Sequence, residues 1–262
     1  MKKNAKIPIV MAAFGTTARA FDTYSFIDKK CKKRFPGHEI FWSYSSRMVK
    51  DLIKKRDNID LKHPHQVLSE LKEKGYSWSV VQSLHLFCGH EFFRLVDEVG
   101  QNFAGTSTRT SIGLPLLSGP WDYKAVVEAI GTGFPDDEDM AVVMVGHGTD
   151  HPVWSSYVAL HHMFREKFGP RIFMGVVEGY PLREEIVAGV KRAGFRKVLL
   201  IPFMLVAGVH FIEDLLGEED SWKTAFEDNG ISVSVENTGT GFNDSIIEIF
   251  CKHIEDAMDV IP

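Results

Sequence analysis

Three residues in the second half of the chain stand at comparable places: His147 in "VVMVGHGTD", Glu178 in "IFMGVVEGYP" and His210 in "FMLVAGVHF". Each ends or closely follows an apolar run, and each lies within two residues of a glycine. Two imidazoles and one carboxylate suit a divalent transition metal such as Co, Ni, Fe or Zn. Three protein ligands also leave coordination positions open, which a closed four-ligand site does not. Imidazoles and carboxylates are general bases as well, so His147 and Glu178 are candidates both for metal binding and for proton removal. Taken singly, each has a plainer reading. His147 can cap the helix that follows, Glu178 can favour a helix dipole, and His210 can open a helix in a merely polar setting.

Such residues converge only if the apolar runs before them are strands of one sheet. Residues 7–14, 38–45, 78–87, 139–146, 171–178, 197–205 and 231–237 read as strands. Amphipathic stretches at 18–34, 64–74, 90–104, 121–132, 153–168, 181–193, 210–216, 219–228 and 243–259 read as helices. Apolar strands separated by helices signal parallel βαβ units, hence an α/β fold. In open α/β sheets, ligands sit outside the carboxyl ends of the strands.

The two halves match each other in order. "IVMAAFGTTARAF" lies over "VVMVGHGTDHPVW", "EIFWSYSSR" over "RIFMGVVEG", and "VVQSLHLFCGHEF" over "LLIPFMLVAGVHF". This predicts two similar lobes with parallel sheets related by a pseudo-twofold, at 1–125 and 126–262, with the last helix free to pack back on the first lobe. The first half carries Phe14, Ser46 and Glu91 where the second carries His147, Glu178 and His210. The Gly-Thr turns at Gly15-Thr16 and Gly148-Thr149 enter helices, and such turns can hold an anion. His85, His90 and Glu91 form a smaller cluster. His151 reads as an orienting or a surface residue. His38, His63, His65, His161, His162 and His253 read as structural.

Composition narrows the function classes. A formal charge of −5 without a basic stripe argues against nucleic acid. Three cysteines, Cys31, Cys88 and Cys251, with no CxxC spacing, give neither a disulfide framework nor a thiolate zinc site, and point to a reducing cytoplasm. No apolar run reaches the length of a membrane helix. The basic start followed by "IPIVMAAF" imitates an export signal, but residues 9–21 are one half of the internal match, so a core strand is the expectation. The motifs GxGxxG, GxxxxGK[ST] and GxSxG are all missing from the sequence.

The stretches "FGTT", "SSRM", "VQSLHLFCGHEF", "GHGTDHPVWSSY", "VVEGYP", "IPFMLVAGVHF" and "EEDSWK", in this order, resemble the anaerobic cobalt chelatases of cobalamin synthesis, the CbiK-type sirohydrochlorin cobaltochelatases among the class II chelatases. The resemblance implies two Rossmann-like lobes with a tetrapyrrole cleft between them. It implies ATP-independent insertion of Co(II) into sirohydrochlorin, with His147, Glu178 and His210 as metal ligands. Phe14, Gly15, Thr16, Ser46, Arg47, Ser83, Leu84, His85 and Glu91 are then candidates to line the tetrapyrrole. Phe14 and Leu84 would pack on the macrocycle face, while Arg19, Arg47 and Arg183 would pair with its carboxylates or serve as surface salt bridges. His90 reads either as a solvated histidine or as an exposed haem or metal ligand at a subunit interface, in which case the chain is a homo-oligomer. One departure stands out: the family reads Gly-Asp-His near the last ligand, and this chain has Gly208-Val209-His210. Fe(II) or Ni(II) chelatase, a haem or metal carrier, and a solute-binding protein are the competing readings.

Overall fold

A computed structural model describes residues 6–16, 21–58, 60–103 and 108–262. The chain divides into two compact units, residues 1–118 with 246–262, and residues 119–245. The sequence reading put the crossing after residue 125. That position lies inside a continuous helix, and the division comes before it.

The first unit runs β1 (Ile9–Ala13), α1 (Phe21–Arg34), β2 (Ile40–Tyr44), α2 (Arg47–Asp57), α3 (Pro64–Glu73), β3 (Trp78–Ser83), α4 (His90–Phe103) and β4 (Arg109–Gly113). The second runs α5 (Pro120–Gly131), β5 (Met140–Gly148), α6 (Ser155–Phe168), β6 (Ile172–Glu178), α7 (Arg183–Arg192), β7 (Lys197–Pro202), α8 (Val209–Leu216), α9 (Trp222–Glu227) and β8 (Ser232–Val235). The last helix, α10 (Asp244–Asp259), belongs to the first unit from Ile246 onward.

Each unit holds a four-stranded parallel sheet, in the order β2-β1-β3-β4 in the first and β6-β5-β7-β8 in the second. The two orders are the same, which is the structural counterpart of the internal match. β1 and β5 each have a neighbour on both sides, and the strand order reverses beside them. Both are fully buried along their apolar length, as parallel strands covered by helices must be. The export-like stretch is therefore the inner strand β1, paired with β2 and β3. In the second unit Ala141, Val143 and Val145 of β5 pack with Phe173, Ile186, Val190, Trp222 and Phe226. Burying an aromatic such as Trp222 stabilises a fold by roughly 2–3 kcal/mol. Gly175 on β6 makes room for it, since a Cβ there would overlap the indole.

Two elements escape the periodicity reading. β4, "RTSIG", is a short edge strand with only one large apolar residue, and it pairs with β3 alone. α2, "RMVKDLIKKRD", is dominated by charge, and among its described side chains only Val49 and Ile53 are buried, one turn apart. Conversely, the runs 78–87 and 197–205 cease to be strand at Ser83 and Pro202. Their remainders form the loops that carry site residues.

Candidate metal centre

His147 and Glu178 stand side by side at the carboxyl ends of β5 and β6. Gly146 pairs with Val176 and Gly148 with Glu178, so His147 lies between the two rungs. Both side chains are exposed. The glycines around His147 have separate causes. Gly148 has φ +93°, a region that favours glycine, and a Cβ there would overlap the carbonyl oxygen of Glu178. Gly146 faces the ring of Tyr157, which a Cβ would overlap. The Tyr157 hydroxyl accepts a hydrogen bond from the Gly148 N–H at 3.2 Å.

The third strand end arrives by the β7–α8 loop. Phe203 N–H donates to the Val145 carbonyl at 2.8 Å, which ties the loop to β5. Thr240 N–H and Gly241 N–H donate to the carbonyls of Met204 and Leu205 at 2.7 and 2.9 Å, which pins its far side. The loop leads into α8, where His210 is the second residue. The side chains of Val209, His210 and Phe211 lie outside the described residues, as do Arg19 and the side chain of Arg47. Among the described residues no group of three or more metal-binding side chains gathers. The backbone thus places His147 and Glu178 at the carboxyl edge of the second sheet, where such folds bind ligands, while His210 follows β7 by a loop.

Two residues that the sequence left between a site role and a surface role make scaffold contacts. The Arg183 guanidinium donates to the carbonyl and to Oδ1 of Asp220, both at 2.5 Å, which clamps α7 to the loop before α9. This is the surface salt bridge offered as its alternative role. His151 Nδ1 accepts from Val153 N–H at 3.2 Å and caps the turn before α6. The sequence reading missed an aromatic pair beside the centre. Trp154 and Tyr180 meet edge to face, their ring centroids 5.6 Å apart, and both are exposed. Only their place inside "GHGTDHPVWSSY" and "VVEGYP" signalled them.

The first unit repeats the frame without the ligands. Phe14, 45% exposed, stands where His147 does, before Gly15 with φ +104°. Thr16 is buried. Ser46 caps α2, its Oγ accepting from Val49 N–H at 3.3 Å, so a structural duty holds the hydroxyl. Leu84 is buried and its N–H extends the ladder to the Ala12 carbonyl at 2.9 Å. Glu91, in the first turn of α4, accepts from Ser45 Oγ at 3.4 Å and from Arg94 at 2.7 Å. His90 is exposed as the first residue of α4.

Beyond β3 and β4 two similar loops, "LHLFCG" and "LPLLSG", run in parallel. Leu116 and Leu117 N–H donate to the His85 and Leu86 carbonyls at 3.0 and 2.9 Å, and Cys88 Sγ lies 3.6 Å from Ser118 Oγ. His85 has Pro115 as its counterpart. Its Nδ1 shares a hydrogen bond with Ser83 Oγ at 2.8 Å, while Nε2 is enclosed without a partner among the described residues. Burial lowers its pKa from 6.5 to about 4. The folded chain therefore binds fewer protons than the unfolded chain between these values. The stability this contributes is complete above about pH 6.5 and is lost as the pH falls toward 4. Unfolding by urea should show a loss of about 2 kcal/mol between about pH 7 and 4.5, on a scale of ~1.4 kcal/mol per pKa unit. His85→Gln should remove most of that slope. An equal slope in both proteins would move the titration to another group.

Among the described residues no helix is long and apolar enough to cross a membrane. The family model described as cobalt chelatase (CbiK) matches residues 7–259. The sirohydrochlorin cobaltochelatase of Salmonella typhimurium is 32% identical over 262 residues, spanning 97% of this chain and 97% of that protein. The sirohydrochlorin cobaltochelatase CbiKC of Nitratidesulfovibrio vulgaris is 30% identical over 262 residues, spanning 97% of this chain and 91% of that one. Among solved structures, SirB from Bacillus subtilis with Fe3+ matches with a TM-score of 0.69 at 15% identity, over 97% of this chain and 96% of that chain. At that identity the likeness speaks for the fold alone.

Proposed function

Because the chain belongs to the cobalt chelatase (CbiK) family, we propose that it inserts Co(II) into sirohydrochlorin without ATP, as a step of anaerobic cobalamin synthesis. One observation carries the reading at residue level. Of two lobes with the same strand order, only the second bears ligand-type residues at or after all three matched strands, where the first bears Phe14, Ser46 and Glu91.

The reaction exchanges two pyrrole N–H protons for one divalent cation. The four ring nitrogens gain the metal, and two protons pass to the protein or to solvent. His147, Glu178 and His210 would hold Co(II) as substrate, with positions left open for incoming nitrogens. Both His147 and Glu178 are exposed, so the ligand set is open to exchange, as a chelatase needs. Each base is freed as the cation leaves it. His147 would then accept one proton and Glu178 the other. Phe14 offers an exposed apolar surface for the macrocycle in the first lobe, beside Gly15 and Glu91. The free cysteines Cys31, Cys88 and Cys251 suit a reducing cytoplasm.

Purified protein mixed with sirohydrochlorin and Co(II), without ATP, should convert the visible spectrum faster than a protein-free control. Ni(II) and Fe(II) in the same assay rank the metals. Binding of sirohydrochlorin with metallation at the background rate would make the protein a carrier.

A further inference from the structure

Flanking a metal ligand with two glycines is costly, because glycine adds backbone freedom that must be removed before the imidazole is fixed in direction. In this chain the same side chain occupies the space at Gly146 and bonds the N–H of Gly148. Tyr157, from the first turn of α6, lies against Gly146 and accepts the Gly148 N–H at 3.2 Å. It is 3% exposed. Both neighbours of His147 are thus held by one buried ring.

The first lobe contains the same latch. Tyr24 accepts the Gly15 N–H at 3.3 Å, and the partners are nine residues apart in both lobes. Tyr24 is also buried. There, however, the residue before the glycine is Phe14, which cannot bind a metal. The latch is therefore part of the fold, and its consequence for chemistry is confined to the second lobe.

We propose that Tyr157 is the positioning residue of His147, fixing the backbone on both sides of the imidazole so that it meets Co(II) in one orientation. The inference rests on the reading of His147 as a metal ligand. Burial pushes the Tyr157 phenol up to about 12, and its oxygen serves the latch as acceptor of the Gly148 N–H.

The test compares Tyr157→Phe with Tyr24→Phe, each of which keeps the ring and removes only the hydroxyl. Co(II) binding is read by calorimetry and by the visible absorption of bound Co(II), and stability by thermal unfolding. Both variants should melt somewhat below the parent, since each leaves one part-buried N–H without its tyrosine partner. Only Tyr157→Phe should weaken Co(II) binding, about three- to tenfold, and alter the Co(II) spectrum. It should also lower kcat while leaving KM for sirohydrochlorin unchanged. Parental Co(II) affinity and spectrum in a destabilised Tyr157→Phe would overturn the inference, and so would equal weakening in Tyr24→Phe. His147→Ala in the same assay separates the two levels. If it binds Co(II) as the parent does, the ligand reading fails, and the inference fails with it. If it loses Co(II) while Tyr157→Phe does not, only the inference fails.

Discussion

His147→Ala is expected to fold like the parent and to metallate sirohydrochlorin at the rate of the protein-free control. The side chain is exposed at the end of β5, beyond the buried run Ala141–Gly146. Its removal leaves no cavity, and surface replacements of this kind change stability by about 0.5 kcal/mol or less. The chemical loss expected from the proposed roles is large by contrast, because the variant would give up a ligand and a proton acceptor together. General-base catalysis alone contributes about 100- to 10,000-fold. The measurement is the growth of the cobalt-tetrapyrrole absorption at fixed Co(II), with melting curves on the same sample. A correctly folded variant that turns over at the parental rate would take His147 out of the centre.

Gly148→Ala should do the opposite, damaging the scaffold first and the chemistry through it. Two effects add. The backbone at φ +93° disfavours any L side chain, at a cost of about 1–3 kcal/mol. The new methyl would also collide with the Glu178 carbonyl, so the ends of β5 and β6 must part. A combined loss of about 3–5 kcal/mol places the substitution among the severe ones. At about 2–4 °C per kcal/mol, the melting temperature should fall by roughly 6–20 °C. Gly169→Ala supplies the comparison. Gly169 has φ +85°, and nothing lies within 4 Å of the added atom. It bears the backbone cost without the collision, so its melting temperature should fall much less. Co(II) affinity should drop in Gly148→Ala and hold in Gly169→Ala. Equal stability losses would mean that the close approach of the two strand ends is not what holds them.

The parts of this protein that depend on local pattern were readable before any coordinates. Buried parallel strands are near-continuous apolar runs, and β1, β5 and β7 announce themselves that way. The internal match placed Phe14 against His147 and Ser46 against Glu178, and both lobes have the strand order that this implies. What stayed hidden depends on partners far along the chain. Nothing near Arg183 shows that Asp220, 37 residues on, will occupy it. Ser46 looked like a strand-end site residue because α2 was not recognised behind it, its two buried positions submerged in charge. Tyr24 and Tyr157 lie within helices α1 and α6, with nothing in their immediate neighbours to mark them. Their equal distance from Gly15 and Gly148 is the signal that could have singled them out.

The return of α10 to the first lobe has a consequence during synthesis. Translation delivers β1 to β4 first, then all of the second lobe, and only afterwards Ile246, Ile247, Phe250 and Ile254, which are buried in the first. Arg34 on α1 waits for Glu255, and the Leu114 carbonyl waits for His253, 139 residues later. The half made first is thus the half completed last, while residues 119–245 can close on themselves as they emerge. A stalled chain with residue 245 already outside the ribosome would carry a finished second lobe joined to an unfinished first. Limited proteolysis of such stalled chains should cut the first lobe and spare the second.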